Sequence, residues 1–213
     1  MRQTILVTGF GPFPGMPFNP TAALVQRLGR MRRPAFAQVR LVAHVFPTRY
    51  GAVDADLPAL LARHRPDAVL MFGVAGRAKA LRIETLARNR ITALLPDAGG
   101  ARHVKRTIAA EGPATMRLPF PAQRLLRAAK DAGVPARLSR DAGRYLCNYL
   151  CWRTAEVAAA PGGPRIAAFV HVPKLDRVPR RPRARNRHRF TLDDLVRAGA
   201  VLLRETQIAA SRR

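Results

Sequence analysis

Short apolar or alternating segments recur along this chain and are separated by stretches whose apolar residues have helical spacing. The segments at residues 5–7, 39–45, 68–72 and 166–171 predict strands. Every residue from 68 to 72 is apolar, which predicts a central strand covered on both faces. The alternation of the two patterns predicts a single α/β domain with a largely parallel sheet between layers of helices.

Capping and breaking residues mark the ends of the predicted helices. Asn19 before Pro20 predicts the start of a first helix, which ends near Gly29. Further helices are predicted near residues 53–61, 121–132 and 145–160, and Thr191 is the predicted cap of the last one. Residues 81–89 fit strand alternation, whereas 97–119 predict an irregular, hairpin-like excursion.

The net charge of +25 is large and typical of proteins that bind nucleic acids or anionic surfaces. The arginines are nevertheless spread over the whole chain rather than confined to one face. We therefore expect only nonspecific affinity for nucleic acid. The densest basic segment, residues 177–189, is rich in arginine and proline and predicts a mobile surface loop.

The length of 213 residues and the hydrophobic content of 48% fit one globular domain over residues 1–213. The first apolar run is too short for a signal peptide and no segment has membrane-spanning length, so we expect a cytoplasmic protein without a membrane partner. The two cysteines, Cys147 and Cys151, share a predicted helical face at a spacing that does not suit a disulfide. Core packing, metal binding and nucleophilic catalysis remain as their possible roles.

Cys147 follows a loop that contains Asp141 and Gly143, at the predicted start of a helix. Backbone N–H groups at a helix start favour a thiolate and can stabilise an oxyanion, although a cysteine packed in the core is the alternative. His171 ends a predicted strand just before Pro173. Ligands gather at the carboxyl ends of such strands, so His171 is either a general base for a thiol or a core histidine.

Glu84 lies in an otherwise apolar segment, and a buried carboxylate requires a partner. Arg77, Arg82 and Arg88 are candidate partners. The functional alternative is that Glu84 binds the far nitrogen of His171 and fixes its tautomer.

The loop after the first predicted strand carries Phe10, Phe13 and Phe18 among glycines and prolines. It lacks the third glycine of a dinucleotide-binding loop, and its prolines block the helix that would receive phosphates. The three rings either wall a small, flat, apolar pocket or anchor the loop to the core.

Four separated segments together resemble one family. They are residues 7–13 with 19–21, residues 72–77 with 83–84 and 87–89, residues 141–148 and residues 169–173. In these segments the chain resembles the pyroglutamyl peptidase I family, the pyrrolidone-carboxylate peptidases, whose catalytic residues follow the same order of Glu, Cys and His.

The resemblance implies removal of N-terminal pyroglutamate from peptides through a thioester, with no metal or organic cofactor. It implies a fold that is a single-domain α/β/α sandwich with a largely parallel, mixed central sheet, and association into homodimers or homotetramers. The implied catalytic residues are Cys147, His171 and Glu84. The implied substrate-binding residues are Phe10, Phe13 and Asn19.

Three features depart from the family pattern. The stretch from Gly73 to Arg77, which includes Val74, lacks the glutamine and the paired glycines that are common there. Leu94 replaces an arginine ahead of Pro96-Asp97, and residues 177–189 are unusually basic. Two alternatives therefore stay open: a related thiol amidohydrolase with an altered substrate, and a non-catalytic basic binding protein on the same fold.

Overall fold

The computed structural model describes residues 2–175 and 190–211, so the predicted loop at 177–189 lies outside the described residues. The strands of this part are β1 (Gln3–Phe10), β2 (Val39–Phe46), β3 (Ala68–Ala75), β4 (Leu81–Glu84), β5 (Leu86–Arg88), β6 (Thr115–Arg117), β7 (Ala136–Ser139) and β8 (Ile166–Pro173). The α-helices are α1 (Pro20–Gly29), α2 (Tyr50–His64), α3 (Ala122–Asp131), α4 (Leu146–Ala159) and α5 (Leu192–Ser211).

The main sheet has the strand order β2-β1-β3-β8-β4-β7. The first four strands in this order, β2, β1, β3 and β8, are parallel to one another. Strand β4 is antiparallel to β8, and β7 is parallel to β4. The sheet is therefore largely parallel and mixed. The fully apolar segment from 68 to 72 forms buried β3 in its interior, as predicted.

Helices cover both faces of this sheet. Successive side chains of a strand point to opposite faces, and the central strands carry apolar side chains on each face that must be covered. Ile5 and Val170 pack on one face, with α1, α3 and α5. Leu6 and Phe169 pack on the other face, with α2 and α4. Each such fully buried side chain stabilises the fold by roughly 1.5–3 kcal/mol. The α/β/α sandwich expected from the resemblance is thereby confirmed.

The predicted caps of the first and last helices are present. Asn19 Oδ1 accepts a hydrogen bond of 3.1 Å from Thr21 N at the start of α1, where Pro20 is the first helical residue. Thr191 Oγ1 accepts from Asp194 N at 3.1 Å, and the Asp194 carboxylate accepts from Thr191 N at 2.9 Å. These reciprocal bonds satisfy N–H groups that lack a partner inside the helix.

Several strand boundaries differ from the predictions because pairing with neighbouring strands overrides local pattern. β1 continues through Gly9 to Phe10, in register with β2. The segment 81–89 is divided at Thr85 into β4 and β5, which belong to different sheets. The 97–119 excursion contains one short strand, β6, which pairs with β5. Edge strand β7, with only two apolar residues, was not predicted.

Candidate active site

A cavity of about 170 Å³ opens at the carboxyl ends of the parallel strands, where ligands of open α/β sheets bind. Its apolar lining consists of Phe10, Phe13, Val74, Ala142 and Leu146. Its polar lining consists of Asn19, Thr48, Tyr145, Cys147 and His171. The lining contains no acidic side chain within the described residues.

Strand parity brings the predicted carboxylate, Glu84, and the predicted base, His171, to the same face of the sheet. Phe169 of β8 packs toward α4, so His171, two residues later, points to that face as well. Ile83 of β4 packs toward the opposite helix layer, so its neighbours Arg82 and Glu84 point toward α4. The antiparallel register pairs Arg82 with His171 and leaves Glu84 diagonal to the ring.

Glu84 and His171 form a buried hydrogen bond. The two atoms, His171 Nδ1 and Glu84 Oε1, are 2.8 Å apart. Since an ionised carboxylate only accepts, Nδ1 donates and Nε2 remains on the other side of the ring. Arg82 Nε lies 3.3 Å from the same Oε1, so two of the candidate partners share one carboxylate oxygen. Glu84 Oε2 has no hydrogen-bond partner among the described residues.

Cys147 is the second residue of α4, after the predicted loop with Gly143 at a φ of 85°. Its sulfur lies against Gly73: a Cβ at residue 73 would be 2.8 Å from Sγ. Gly73 of β3 is in register with His171 of β8. The sulfur and the imidazole therefore lie side by side on the cavity wall.

The protonation of His171 reflects these neighbours. Burial alone would lower its pKa, but the charge of Cys147, its hydrogen bond to the ring and the Glu84 carboxylate together raise the pKa to about 9. The ring is therefore an imidazolium, protonated on both nitrogens, at neutral pH. Burial raises the pKa of the Cys151 thiol well above its usual value, with Glu84 and Cys147 adding to the effect. Of the two thiols, only Cys147 reaches the cavity.

The aromatic loop contributes two of its three rings to the cavity. Phe10 is buried and Phe13 half-buried, and both line the cavity. Phe18 is 58% exposed, so the expectation that all three rings wall a pocket or anchor the loop is wrong for this residue. Asn19 lines the cavity while Nδ2 donates to Gly11 O at 3.0 Å, so its amide holds the loop in place.

The two substitutions relative to the family pattern have different positions. Val74 lines the cavity at the end of β3. Leu94 is 81% exposed and is not a cavity-lining residue. Of the two, only Val74 is placed to affect what the cavity accepts.

Two residues that line the cavity, Thr48 and Tyr145, were not predicted to be part of the site from the sequence. Thr48 lines the cavity and donates to Gly11 O at 2.8 Å. Tyr145 lines it and donates from its hydroxyl to Pro96 O at 2.9 Å. Thr48 follows β2 closely, so the same rule that identified His171 would have found it. A glycine inside an apolar strand indicates a close approach, which is the signal that Gly73 offered.

Within the described part of the chain, no group of three His, Cys, Asp or Glu side chains is placed to hold a metal ion. None of the helices described there is long and apolar enough to span a membrane.

Comparisons with known proteins agree with this arrangement. The model of the family described as pyroglutamyl peptidase matches residues 3–200. The pyrrolidone-carboxylate peptidase of Pyrococcus furiosus is 31% identical over 171 residues, which cover 80% of this chain and 81% of that protein. The enzyme of the same name from Cupriavidus pinatubonensis is 33% identical, with 81% of this chain and 79% of that protein covered.

Solved structures show the same fold. The pyrrolidone carboxyl peptidase of Thermococcus litoralis superimposes with a TM-score of 0.86 at 26% identity and covers 97% of this chain and 94% of its own. The family match extends over nearly all of the strands and helices that build the cavity. By sequence and by structure, this chain belongs to the pyroglutamyl peptidase family.

Proposed function

We propose that the protein is a cysteine peptidase that removes N-terminal pyroglutamate from peptides, with Cys147 as nucleophile, His171 as its acid and base, and Glu84 orienting the ring. One observation carries the proposal: Sγ of Cys147 lies over Gly73, next to an imidazole that is bonded to a buried carboxylate, at the wall of an apolar cavity.

In the first half of the reaction, the Cys147 sulfur, which has given its proton to His171, attacks the carbonyl carbon of the pyroglutamyl residue. The tetrahedral intermediate collapses when the C–N bond breaks, and His171 gives its proton to the leaving amine. The product that remains is a thioester on Cys147. In the second half, water attacks the thioester and gives a proton to His171. The C–S bond then breaks, which releases pyroglutamate and leaves the free sulfur beside the protonated imidazole again.

The start of α4 supports stabilisation of the oxyanion. Its N-cap residue, Tyr145, makes no side-chain cap, and its hydroxyl binds Pro96 O instead. The first N–H groups of the helix are therefore not used by the cap, and Leu146 and Cys147 both line the cavity. N–H donors at this place can bind the negative oxygen that forms in the transition state.

The chemistry of the cavity favours a lactam over an ordinary N-terminus. Pyroglutamate has no α-ammonium group, because ring closure has converted it into an amide. A cavity with largely apolar walls and, among the described residues, no acidic side chain in its lining accepts such a ring without burying an unpaired charge. Rejection of the charged N-terminus therefore contributes to specificity as much as attraction does.

A pair of substrates tests this function directly. We expect purified protein to hydrolyse a pyroglutamyl aminomethylcoumarin amide with a kcat/KM at least about 10³-fold above that for the prolyl amide, since the prolyl ring has the same size but carries an ammonium. Fluorescence release gives both rates. Equal rates would refute the proposed specificity, and activity on other blocked amides alone would favour a related amidohydrolase.

Gly73→Ala should lower kcat for the pyroglutamyl amide by about 10²-fold, because displacement of a reacting atom by about 1 Å has an effect of this size. The new Cβ would lie 2.8 Å from Cys147 Sγ and 2.7 Å from Phe169 Cζ. Gly76→Ala is the matched control, since its Cβ would meet only Met16 Cε, at 3.7 Å. If the two variants lose activity equally, the close packing of the sulfur on Gly73 is not what matters.

The domain organisation, the cellular compartment, the oligomeric state and the affinity for nucleic acid are also proposals. We propose one domain over residues 1–213, and the two free thiols fit a reducing compartment such as the cytoplasm. Association into dimers or tetramers is a prediction that light scattering would test. Nucleic acid should bind only weakly and with steep salt dependence.

Val74 in the cavity is the observation that favours an altered substrate as the second candidate function.

A further inference from the structure

The side chain of Arg82 bridges the two halves of the site. Its Nε lies 3.3 Å from Glu84 Oε1 in an ion pair without hydrogen-bond geometry, and the same oxygen accepts from His171 Nδ1. Its guanidinium Nη2 donates to Ser139 Oγ at 2.8 Å and to the backbone oxygen of Asp141. Ser139 ends β7, and Asp141 begins the loop that leads to Cys147.

These contacts follow from the topology. Strand β4 lies between β8, which carries His171, and β7, which leads into the loop before α4. Arg82 is the β4 residue in register with His171 on one side and with Arg137 on the other. A long side chain at this register can therefore contact the carboxylate and the nucleophile loop at the same time.

We infer that Arg82 is a positioning residue that couples the Glu84–His171 pair to the loop that delivers Cys147. This inference rests on the proposed function. The contact with Glu84 is partly buried, with the Arg82 side chain 23% exposed and the Glu84 side chain fully buried. An ion pair in such a place acts more strongly on its neighbours than an exposed pair does.

The charges around the ring determine the expected sign. Cys147 on α4 and Glu84 on β4 both raise the pKa of His171, against the opposing effect of burial. Cys151, also on α4, lies within electrostatic reach of Glu84 and Cys147. Arg82 is the cation on β4 that partly offsets the carboxylate. When Arg82 is replaced by a neutral residue, no cation on β4 offsets the Glu84 carboxylate. The full negative charge then acts on the His171 ring and should favour the imidazolium.

The test compares three variants by two measurements: kcat for a pyroglutamyl amide, and the titration of the His171 ring followed by NMR. Arg82→Gln should lower kcat by about tenfold and raise the midpoint of the His171 titration by roughly 0.5 to 1 pH unit. Arg82→Lys retains the cation but not the fork that reaches the loop. It should keep a wild-type midpoint and still lose kcat.

Arg88→Gln is the matched control, because Arg88 contacts the same loop through Asp141 Oδ1, at 3.6 Å, without contacting Glu84. Its His171 midpoint should equal that of the wild type. An Arg82→Gln midpoint that is unchanged or lowered would overturn the inference, since a merely structural arginine would not move it upward. Absence of any pyroglutamyl hydrolysis by the wild-type protein would instead refute the proposed function, while the titration would still test Arg82.

Discussion

Replacement of Cys147 by alanine should lower kcat/KM for a pyroglutamyl amide by at least about 10⁴-fold, because a nucleophile and its base act as a unit. The sulfur lies over Gly73 beside His171, and no other thiol lines the cavity among the described residues. The residual rate is measured as release of the fluorophore from a pyroglutamyl amide, with enzyme in excess over substrate so that very slow hydrolysis is detected. The loss should fall on kcat, since the substitution leaves the rest of the proposed binding cavity unchanged.

Cys151→Ala is the control for this prediction. Cys151 is on the same helix, one turn after Cys147, but is fully buried. The variant should retain the wild-type kcat/KM and lose only about 1 kcal/mol of stability, by removal of a small buried group. Substantial hydrolysis by Cys147→Ala, or abolition by Cys151→Ala at unchanged stability, would contradict the assignment of the nucleophile.

Glu84→Gln should lower kcat by about 10³- to 10⁴-fold, because the residue behind the imidazole sets its tautomer and stabilises its charge. The substitution also removes one of the groups that raise the His171 pKa to about 9. In the wild type, the imidazolium persists up to that pH, so kcat/KM should fall above it. In the variant this alkaline limb should move to lower pH by about 1 unit.

The sign of that shift separates Glu84 from its neighbour, because loss of Arg82 is expected to move the His171 titration upward. Glu205→Gln is the matched control. Glu205 forms a partly buried ion pair with Arg124, at 3.0 Å, between α5 and α3 and away from the cavity. Its pH profile should coincide with that of the wild type. A wild-type alkaline limb in Glu84→Gln would show that the carboxylate does not act on the ring.

The fold could be predicted where local pattern and tertiary demand coincide. β3 is apolar from Ala68 to Phe72 because both faces are buried there, and the start of α1 carries both a cap and a proline. β7 was missed because an edge strand of four residues needs little apolar character. The split of 81–89 at Thr85 also has no local signal, since Thr85 N donates to Ser139 O of β7 while Thr85 O accepts from Leu118 N, just after β6.

The candidate site was predictable as a set of residues but not in its supporting contacts. Cys147 and His171 follow general rules for helix starts and strand ends, and Glu84 stood out as a carboxylate in an apolar segment. The sequence left Arg82 and His171 as competing partners for Glu84, whereas the structure gives it both. Such sharing depends on the register of β4 with β8, which no single-strand pattern encodes.

We propose that a single thiol, that of Cys147, performs the hydrolysis. The most direct measurement follows pyroglutamyl amide hydrolysis during alkylation by iodoacetamide, with the modified cysteine identified by mass spectrometry. Activity should disappear in proportion to alkylation of Cys147, Cys151 should stay unmodified in the folded protein, and a pyroglutamyl analogue should slow the reaction. Full activity in protein whose Cys147 is completely alkylated would show that this sulfur is not the nucleophile.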